Sequence, residues 1–280
     1  MLQAIRRDSR LAFTAIVVVL GFWSVVAYIL LPLTWRHYAH QKDLAGMSMV
    51  TRTGDAIPGD PINVGVVGSK DDVLCAMNAA TWYPADPVTL RSSLEIVGSV
   101  LLDRPYRDAP VSNLFYQNKR EDLAFEKPVG TSADRRHHVR FWKVLDQGEE
   151  GRAVWLGAVT FDRGVGLSHR DARITHHIAP DIDAERDLLT VDLKDARVVT
   201  TIYEVTGIGP TLDGRNGEGD PYFTDGEIKL SVLVEGCDQR SEKVAVLDNP
   251  PIVEMKNRAW AVVEKLLLPG PAVPSMKYHR

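Results

Sequence analysis

Cysteine is scarce in this chain, because its 280 residues include only two, Cys75 and Cys237. Neither belongs to a Cys-x-x-Cys motif, so the sequence excludes a cysteine-based zinc ribbon. Two cysteines allow one disulfide, and such a bond forms and persists in an oxidising compartment. The sequence is compatible with both the bonded and the free state.

Several motifs of common binding and catalytic proteins are also missing. The net charge is −4 and no basic stripe with interleaved aromatic residues occurs, so nucleic acid is not expected as a partner. Gly65 and Gly68 lack a following Walker Lys-Ser/Thr pair, which argues against a nucleotide site. Ser168 lacks the Gly-x-Ser-x-Gly elbow of many hydrolases. The acidic, glycine-rich stretch 213–227 does not have its oxygen ligands at the EF-hand positions and indicates a long turn.

One long uncharged run, "LAFTAIVVVLGFWSVVAYILLPL", covers residues 11–33. At about 1.5 Å per residue, a helix of this length crosses a hydrocarbon core of about 30 Å. A cleaved signal peptide would have a shorter apolar region and a small-x-small cleavage site, which "LLPLTWRHYAH" does not provide. We therefore predict an uncleaved transmembrane helix that contacts the lipid bilayer through residues 11–33.

Positive charges on either side of this run bear on its orientation. Three arginines crowd residues 6–10, whereas three basic residues are spread over residues 36–52. Proximity to the helix favours a cytoplasmic N-terminus. We expect residues 1–10 to form a cytoplasmic tail and the domain after the helix to lie outside the cytoplasm, in the cell envelope.

The rest of the sequence predicts one globular α/β domain. Residues 34–61 end in the turn-rich "TRTGDAIPGDP" and indicate a linker. Residues 62–235 mix strand-like and helical runs, which predicts one mixed sheet of about six to eight strands flanked by helices. Residues 236–280 include an amphipathic run that predicts a core-facing helix followed by a tail.

Local signals predict individual elements within this domain. Ser69 has an aspartate three residues later and forms a capping box at a helix start. Residues 90–102 have the apolar spacing of a helix, and residues 181–195 form a helical run with acids in its first turn. Asp225-Gly226 predicts a two-residue hairpin turn.

Two histidine doublets are the most distinctive polar features. They occur in "RRHHVRFWKV" (135–144) and "ITHHIAPDIDAERD" (174–187). If the first stretch is a strand, its side chains alternate between faces. His138 and Arg140 then share one face, whereas His137 points to the other. A site therefore needs one histidine from each doublet, brought together by strand pairing.

The polar residues near these doublets form one candidate ligand site. Histidine with carboxylate would suit a zinc-like or iron-like ion, whereas arginine with histidine would suit a phosphate or carboxylate group. Ordinary ion pairs and polar strand edges explain the same residues without a ligand. The sequence identifies no cofactor, no particular metal and no catalytic residue. The candidate residues are His138, Arg140, Asp162, Arg163, His176 or His177, Asp181 and Asp183.

Seven segments, in order from about Asn63 to Gly226, resemble the LssY-like C-terminal domain family. They are "NVGVVGS", "ADPVTLRS", "DLAFEKPVG", "RRHHVRFW", "FDRGVGLS", "THHIAPDIDAERD" and "GRNGEGDPYFTDG". The family is labelled a type I secretion component and is often fused behind phosphatidic-acid-phosphatase-type membrane modules. This chain has no Pro-Ser-Gly-His stretch and only one hydrophobic span, so the resemblance does not extend to phosphatase chemistry.

These features lead to two functional hypotheses. The first is a single-pass, non-enzymatic accessory protein of the cell envelope, linked to secretion or transport and in contact with other envelope proteins. The second is an enzyme or sensor that binds a phosphorylated or lipid-derived ligand through a His/Arg/Asp pocket. Convergence of the candidate side chains on one pocket would favour the second hypothesis, and locally paired, dispersed side chains would favour the first.

Overall fold

The computed structural model of the chain describes residues 2–30, 33, 39–85, 91, 114–129, 135–170, 174–206 and 214–267. The chain divides into two units. One comprises the terminal segments Met1–His37 and Pro251–Arg280, and the other comprises Tyr38–Pro250.

The terminal segments contain helices. Helix α1 (Leu2–Val25) continues into a π-helical turn, Val26–Leu30. Arg10–Leu30 is long and apolar enough to cross a membrane, and none of this stretch is buried within the structure. It overlaps most of the run predicted to span the bilayer. The predicted C-terminal amphipathic helix is present as Pro251–Leu267.

The larger unit is built mainly from short strands. Nine of them form a mixed sheet in the order β15-β11-β14-β3-β9-β8-β7-β4, with β10 also paired to β9. The strands, in chain order, are β1 (Val50–Thr53), β2 (Pro58–Pro61), β3 (Val64–Val67), β4 (Tyr83–Pro84), β5 (Leu114–Tyr116), β6 (Lys119–Arg120), β7 (Leu123–Pro128), β8 (Arg136–Leu145), β9 (Val154–Leu167), β10 (Ile174–Ile178), β11 (Val199–Thr206), β12 (Gly214–Arg215), β13 (Pro221–Tyr222), β14 (Glu227–Leu233) and β15 (Ala245–Val246).

The strand directions confirm a mixed α/β fold. β14 pairs parallel with β3 and β11 pairs parallel with β15, whereas the other pairs of the large sheet are antiparallel. A second sheet has the order β2-β1-β5-β6. Its strands β1 and β2 lie inside residues 34–61, which the sequence analysis treats as linker. The turn formers Gly54 and Asp55 connect these two strands.

Apolar side chains fill both faces of the large sheet. On one face, helices α2 (Lys70–Ala79) and α3 (Ile182–Asp195) contribute leucines and Met77 to a buried cluster that includes Val139 and Phe141 of β8. On the other face, Trp142 of the same strand belongs to a separate buried cluster. This alternation agrees with the period-two prediction for the first histidine doublet.

The helix starts were predicted well. Ser69 and Asp72 form a reciprocal capping box at α2, and Asp181 caps α3. The predicted hairpin at Asp225-Gly226 is wrong, because β13 pairs with β12 instead of with β14. The helix predicted for residues 90–102 lies outside the described residues.

Cys75 of α2 and Cys237 form a disulfide, with their Cα atoms 5.1 Å apart. This separation is within the usual range for such bonds. The bond joins α2 to the segment that follows β14, so it links positions far apart in the sequence.

Candidate functional site

The two histidine doublets lie on strands that are both neighbours of β9. β8 pairs antiparallel with β9 and places His138 opposite Thr160. β10 also pairs antiparallel with β9 and places His176 opposite Val165. Strand pairing therefore brings one histidine from each doublet to the same cavity. A shared site needs this arrangement, because neighbouring side chains on a strand point to opposite faces.

This cavity, which we call the histidine cavity, has a volume of about 50 Å³. Four of the predicted site residues line it: His138, Arg140, Asp162 and His176. All but His176 are buried. Most of the other side chains that line the cavity are also polar, and they include Asp60, Thr160, Thr175, Asn216 and Glu218.

Asp60 of β2 is the acidic neighbour of Arg140. The distance from Arg140 Nη1 to Asp60 Oδ2 is 3.5 Å, and both residues are buried. Asn216 Nδ2 donates a hydrogen bond to Asp60 Oδ1 at 3.3 Å. Burial raises the pKa of Asp60 and outweighs the opposing attraction of Arg140. The carboxyl group therefore holds a proton more readily than an exposed aspartate does.

Asp162 is held by an arginine on the strand that carries His138. Arg136 Nε donates to Asp162 Oδ2 at 3.2 Å, and Arg136 Nη1 donates to Glu126 Oε2 at 2.9 Å. Burial raises the pKa of Glu126, although Arg136 opposes this effect. One guanidinium thus links two carboxylates and fixes Asp162 at the wall of the cavity.

His138 is electrically neutral at neutral pH. Burial lowers its pKa well below the ordinary value, and the positive charges of Arg140, Arg136 and His176 lower it further. A neutral imidazole offers one hydrogen-bond donor and one acceptor. Next to the cation of Arg140, it suits a ligand that has both acceptor and donor atoms.

The second histidine of the first doublet has a different environment. His137 Nδ1 lies 2.6 Å from Glu185 Oε2 of α3. Its ring packs near the rings of Phe161 and Trp82, with centroid distances of 4.9 and 6.1 Å. The His137 side chain therefore ties the sheet to α3, and the doublet diverges as predicted.

Two other predicted site residues lie away from the histidine cavity. Arg163 is exposed and lies, with His177, beside a second and more open pocket. Asp181 accepts a hydrogen bond from the Ala184 N–H at 3.0 Å as the N-cap of α3. Neither residue lines the cavity that contains His138. Asp181 caps a helix terminus instead.

Asp183 is also absent from the cavity wall. It accepts hydrogen bonds from the Thr224 hydroxyl and from the Asp225 N–H, both at 2.7 Å. Burial raises the pKa of Asp183 to about 7, against the attraction of Arg186 and with repulsion from Asp225. Its carboxylate organises the connection between α3 and the start of β14.

Asp60 and Asn216 belong to the site but were not among the residues predicted from the sequence. Asp60 lies in a stretch interpreted as linker, and Asn216 lies in the glycine-rich stretch interpreted as a long turn. The clustering of Asp, Asn and Gly in that stretch was a usable signal, because Asn216 Oδ1 accepts from the Asp220 N–H at 2.9 Å and folds the turn towards the cavity.

The family model described as LssY C-terminus matches residues 41–228, about two thirds of the chain. The chain belongs to the LssY C-terminus family. Every residue that lines the histidine cavity falls inside the matched range. This LssY C-terminus domain begins before the predicted linker ends, which agrees with the presence of β1 and β2. No curated protein and no solved structure matches the chain.

Proposed function

We propose that this protein is a membrane-anchored LssY C-terminus domain that binds a small phosphate-bearing ligand in the histidine cavity. One observation carries the proposal: His138, Arg140, Asp162 and His176 come from three strands, β8, β9 and β10, and line one largely buried space. Side chains dispersed over the sheet would have favoured a purely structural role for these residues.

The chemistry of the cavity wall supports a phosphate group as the recognised part. Arg140 supplies a cation whose planar fork matches phosphate oxygens. Neutral His138 and the hydroxyl of Thr160 supply further hydrogen-bond donors. The raised pKa of Asp60 lets its carboxyl group accept a proton and donate a hydrogen bond to an anion.

The size of the cavity limits what can enter it. A water molecule requires about 10–15 Å³ of cavity. A volume of about 50 Å³ therefore accommodates a few waters or one phosphate-sized group. A whole lipid does not fit. The ligand is therefore either free phosphate or the head group of a phosphorylated, lipid-derived molecule whose remainder stays outside.

The apolar helix and the family support the wider setting of this proposal. Arg10–Leu30 would hold the domain at the bilayer, and the arginines at residues 6–10 favour a cytoplasmic N-terminus. The disulfide between Cys75 and Cys237 supports a domain outside the cytoplasm. In that setting the domain acts as a non-enzymatic accessory of the envelope, linked to secretion or transport and in contact with other envelope proteins.

Thermal unfolding of the full chain in detergent micelles tests the proposal. Inorganic phosphate should raise the unfolding midpoint, because a ligand that binds only the folded state adds about 2.7 kcal/mol at one hundred times its Kd. Sodium chloride at equal ionic strength measures the effect of salt. Glycerol phosphate distinguishes a head-group site from a site for free phosphate. No shift with either phosphate would overturn the proposal.

Two arginine variants test whether the phosphate-dependent rise in the unfolding midpoint comes from binding at Arg140. Arg140→Lys keeps the charge but loses the fork, so it should weaken the phosphate response with little change in the folded state. Arg152→Lys is the matched control, because Arg152 pairs with Asp72 at 2.8 Å and does not line the cavity. Equal responses of the two variants would contradict a site at Arg140. Release of p-nitrophenol from p-nitrophenyl phosphate by the wild type would instead indicate an enzyme.

A further inference from the structure

A second group of polar side chains lies on the other side of β10 from His176. His177 Nδ1 lies 2.7 Å from Asp220 Oδ1, and His169 Nε2 lies 3.4 Å from the same oxygen. The three ligand atoms lie within 4.8 Å of one another. His169 follows β9 and His177 lies on its antiparallel partner β10, so this strand pair brings the two histidines together, and the tertiary fold adds Asp220 from a distant part of the sequence.

Asp220 has a divided role in this group. Its Oδ2 accepts a hydrogen bond from the Ile178 N–H at 3.0 Å, which fixes the carboxylate on β10. Its Oδ1 is the atom that both imidazoles approach. The aspartate is fully buried, whereas the His169 side chain is 57% exposed. A buried, oriented carboxylate thus faces two imidazoles at an accessible surface.

Two glycines make room for the imidazole rings. A Cβ at Gly166 would lie 2.6 Å from His177 Nε2, so any larger residue would displace the ring. A Cβ at Gly219 would lie 2.9 Å from His169 Cβ, and Gly219 also has a φ of +89°. Glycine at both positions lets the histidines approach Asp220 closely.

We propose that His169, His177 and Asp220 form a binding site for a divalent transition-metal ion of the zinc type. Two imidazole nitrogens and one carboxylate oxygen are the ligand set of many zinc sites that keep a fourth position open. Bonds of about 2.0–2.2 Å at tetrahedral angles place ligand atoms roughly 3.3 Å apart. The observed distances of 2.7 and 3.4 Å from Asp220 Oδ1 to the two imidazoles are close to that value, and all three ligand atoms lie within 4.8 Å of one another.

The space next to the group accommodates the remaining ligands of the ion. His169 and His177 line an open pocket of about 400 Å³ together with Arg163 and Gly164. Water or an anionic ligand can therefore complete the coordination sphere from that side, and Arg163 would offset the charge of an anion. A simple histidine–aspartate hydrogen bond would explain His177 alone, but not the approach of an exposed second histidine to the same oxygen.

This site is independent of the phosphate proposal. It shares no lining residue with the histidine cavity. The phosphate response can be measured after removal of metal by a chelator, and the metal titration needs no phosphate. Failure of either experiment leaves the result of the other unchanged.

Cobalt and zinc titrations of the full chain in detergent, purified without a polyhistidine tag and freed of metal, test the proposal. Cobalt should produce visible absorption bands that saturate at one ion per chain and disappear when zinc is added. His169→Ala should weaken zinc affinity by at least about tenfold, since even loss of residues behind a ligand costs that much. His169 is exposed, so its replacement leaves the fold intact.

His40→Ala is the matched control. His40 Nδ1 lies 3.7 Å from Glu149, and His40 is not part of the metal-ligating cluster found among the described residues. It should bind zinc like the wild type. Asp220→Asn, checked for folding by circular dichroism, should lose the cobalt bands while keeping the shape of the carboxylate. Absence of the bands in the wild type, or equal zinc affinity in wild type and His169→Ala, would overturn the proposal.

Discussion

His138 and His176 face the same cavity from two strands, β8 and β10, that are both hydrogen-bonded to β9. Electrostatic interaction with His176 contributes, after burial and the two arginines, to lowering the pKa of His138. Their relationship depends on backbone pairing and not on contacts between flexible side chains. A ligand that binds one of these histidines will therefore alter the electrostatic environment of the other.

Replacing His138 with glutamine should reduce the pH dependence of stability. The folded-state pKa of His138 is well below the ordinary histidine value of 6.5, so the unfolded chain binds more protons as the solution is acidified. Stability should therefore fall below about pH 6.5, by up to about 1.4 kcal/mol per pH unit for this group. Glutamine does not titrate, and the variant should lose this part of the slope.

Thermal midpoints of the full chain between pH 8 and pH 5 measure this effect. His40→Gln is the control, because His40 is partly exposed and does not line the cavity. Identical slopes for His138→Gln and wild type would contradict the assignment of the acid sensitivity to His138.

The sequence predicted the parts of the site that depend on local periodicity. Alternation along β8 placed His138 and Arg140 on one face, and the structure confirms this. The capping box at Ser69 was also predictable, because its hydrogen bonds join residues three apart. Local rules of this kind need no knowledge of the tertiary fold.

The sequence could not predict partners that long-range pairing supplies. Asp60 reaches Arg140 only because β2 is positioned beside the large sheet. Asp225-Gly226 has hairpin chemistry, but Arg186 binds the Asp225 carboxylate in a bidentate manner, at 2.7 and 3.1 Å. That tertiary contact holds the turn in place, and the local sequence does not reveal it.

Reduction of the Cys75–Cys237 disulfide should lower stability. The bond spans 162 residues, and removing a native disulfide typically costs about 2–5 kcal/mol. A reductant should therefore lower the thermal midpoint of the wild type, but not that of the Cys75→Ser/Cys237→Ser double variant. Alkylation followed by mass spectrometry of unreduced protein from native membranes is the direct check. Two free thiols would contradict both the bond and a domain in an oxidising compartment.

Removal of residues 1–35 should release a soluble, folded domain. In the proposed function Arg10–Leu30 is the membrane anchor, and the disulfide and the two buried clusters described above lie within residues 39–250. Membrane fractionation after a high-salt wash, with circular dichroism of the released domain, measures the outcome. Persistent association of the truncated chain would instead identify the amphipathic helix Pro251–Leu267 as a second membrane contact.

The stability of the Asp60→Asn variant, relative to that of the wild type, should increase as the pH rises. Burial raises the folded-state pKa of Asp60 above the ordinary aspartate value of 3.8 despite the nearby Arg140. Protonation of Asp60 in the folded state therefore adds stability that is fully present below pH 3.8. This stability is lost as the pH rises through the folded-state pKa. The loss amounts to up to about 1.4 kcal/mol per pH unit. Asparagine keeps the shape of the side chain without the charge, so the variant does not share the loss.

Asp72→Asn is the control with the opposite sign. Burial opposes ionisation of Asp72, but hydrogen bonds from the Gly236 N–H and from Ser69 lower its pKa. The stability that its carboxylate contributes is present above the ordinary pKa of 3.8 and is lost as the pH falls through the lowered pKa. The substitution should cost about 1 kcal/mol at neutral pH through the capping box. Thermal midpoints from about pH 2 to about pH 8 compare the two variants across both titration ranges, and parallel profiles would contradict the opposite pKa shifts.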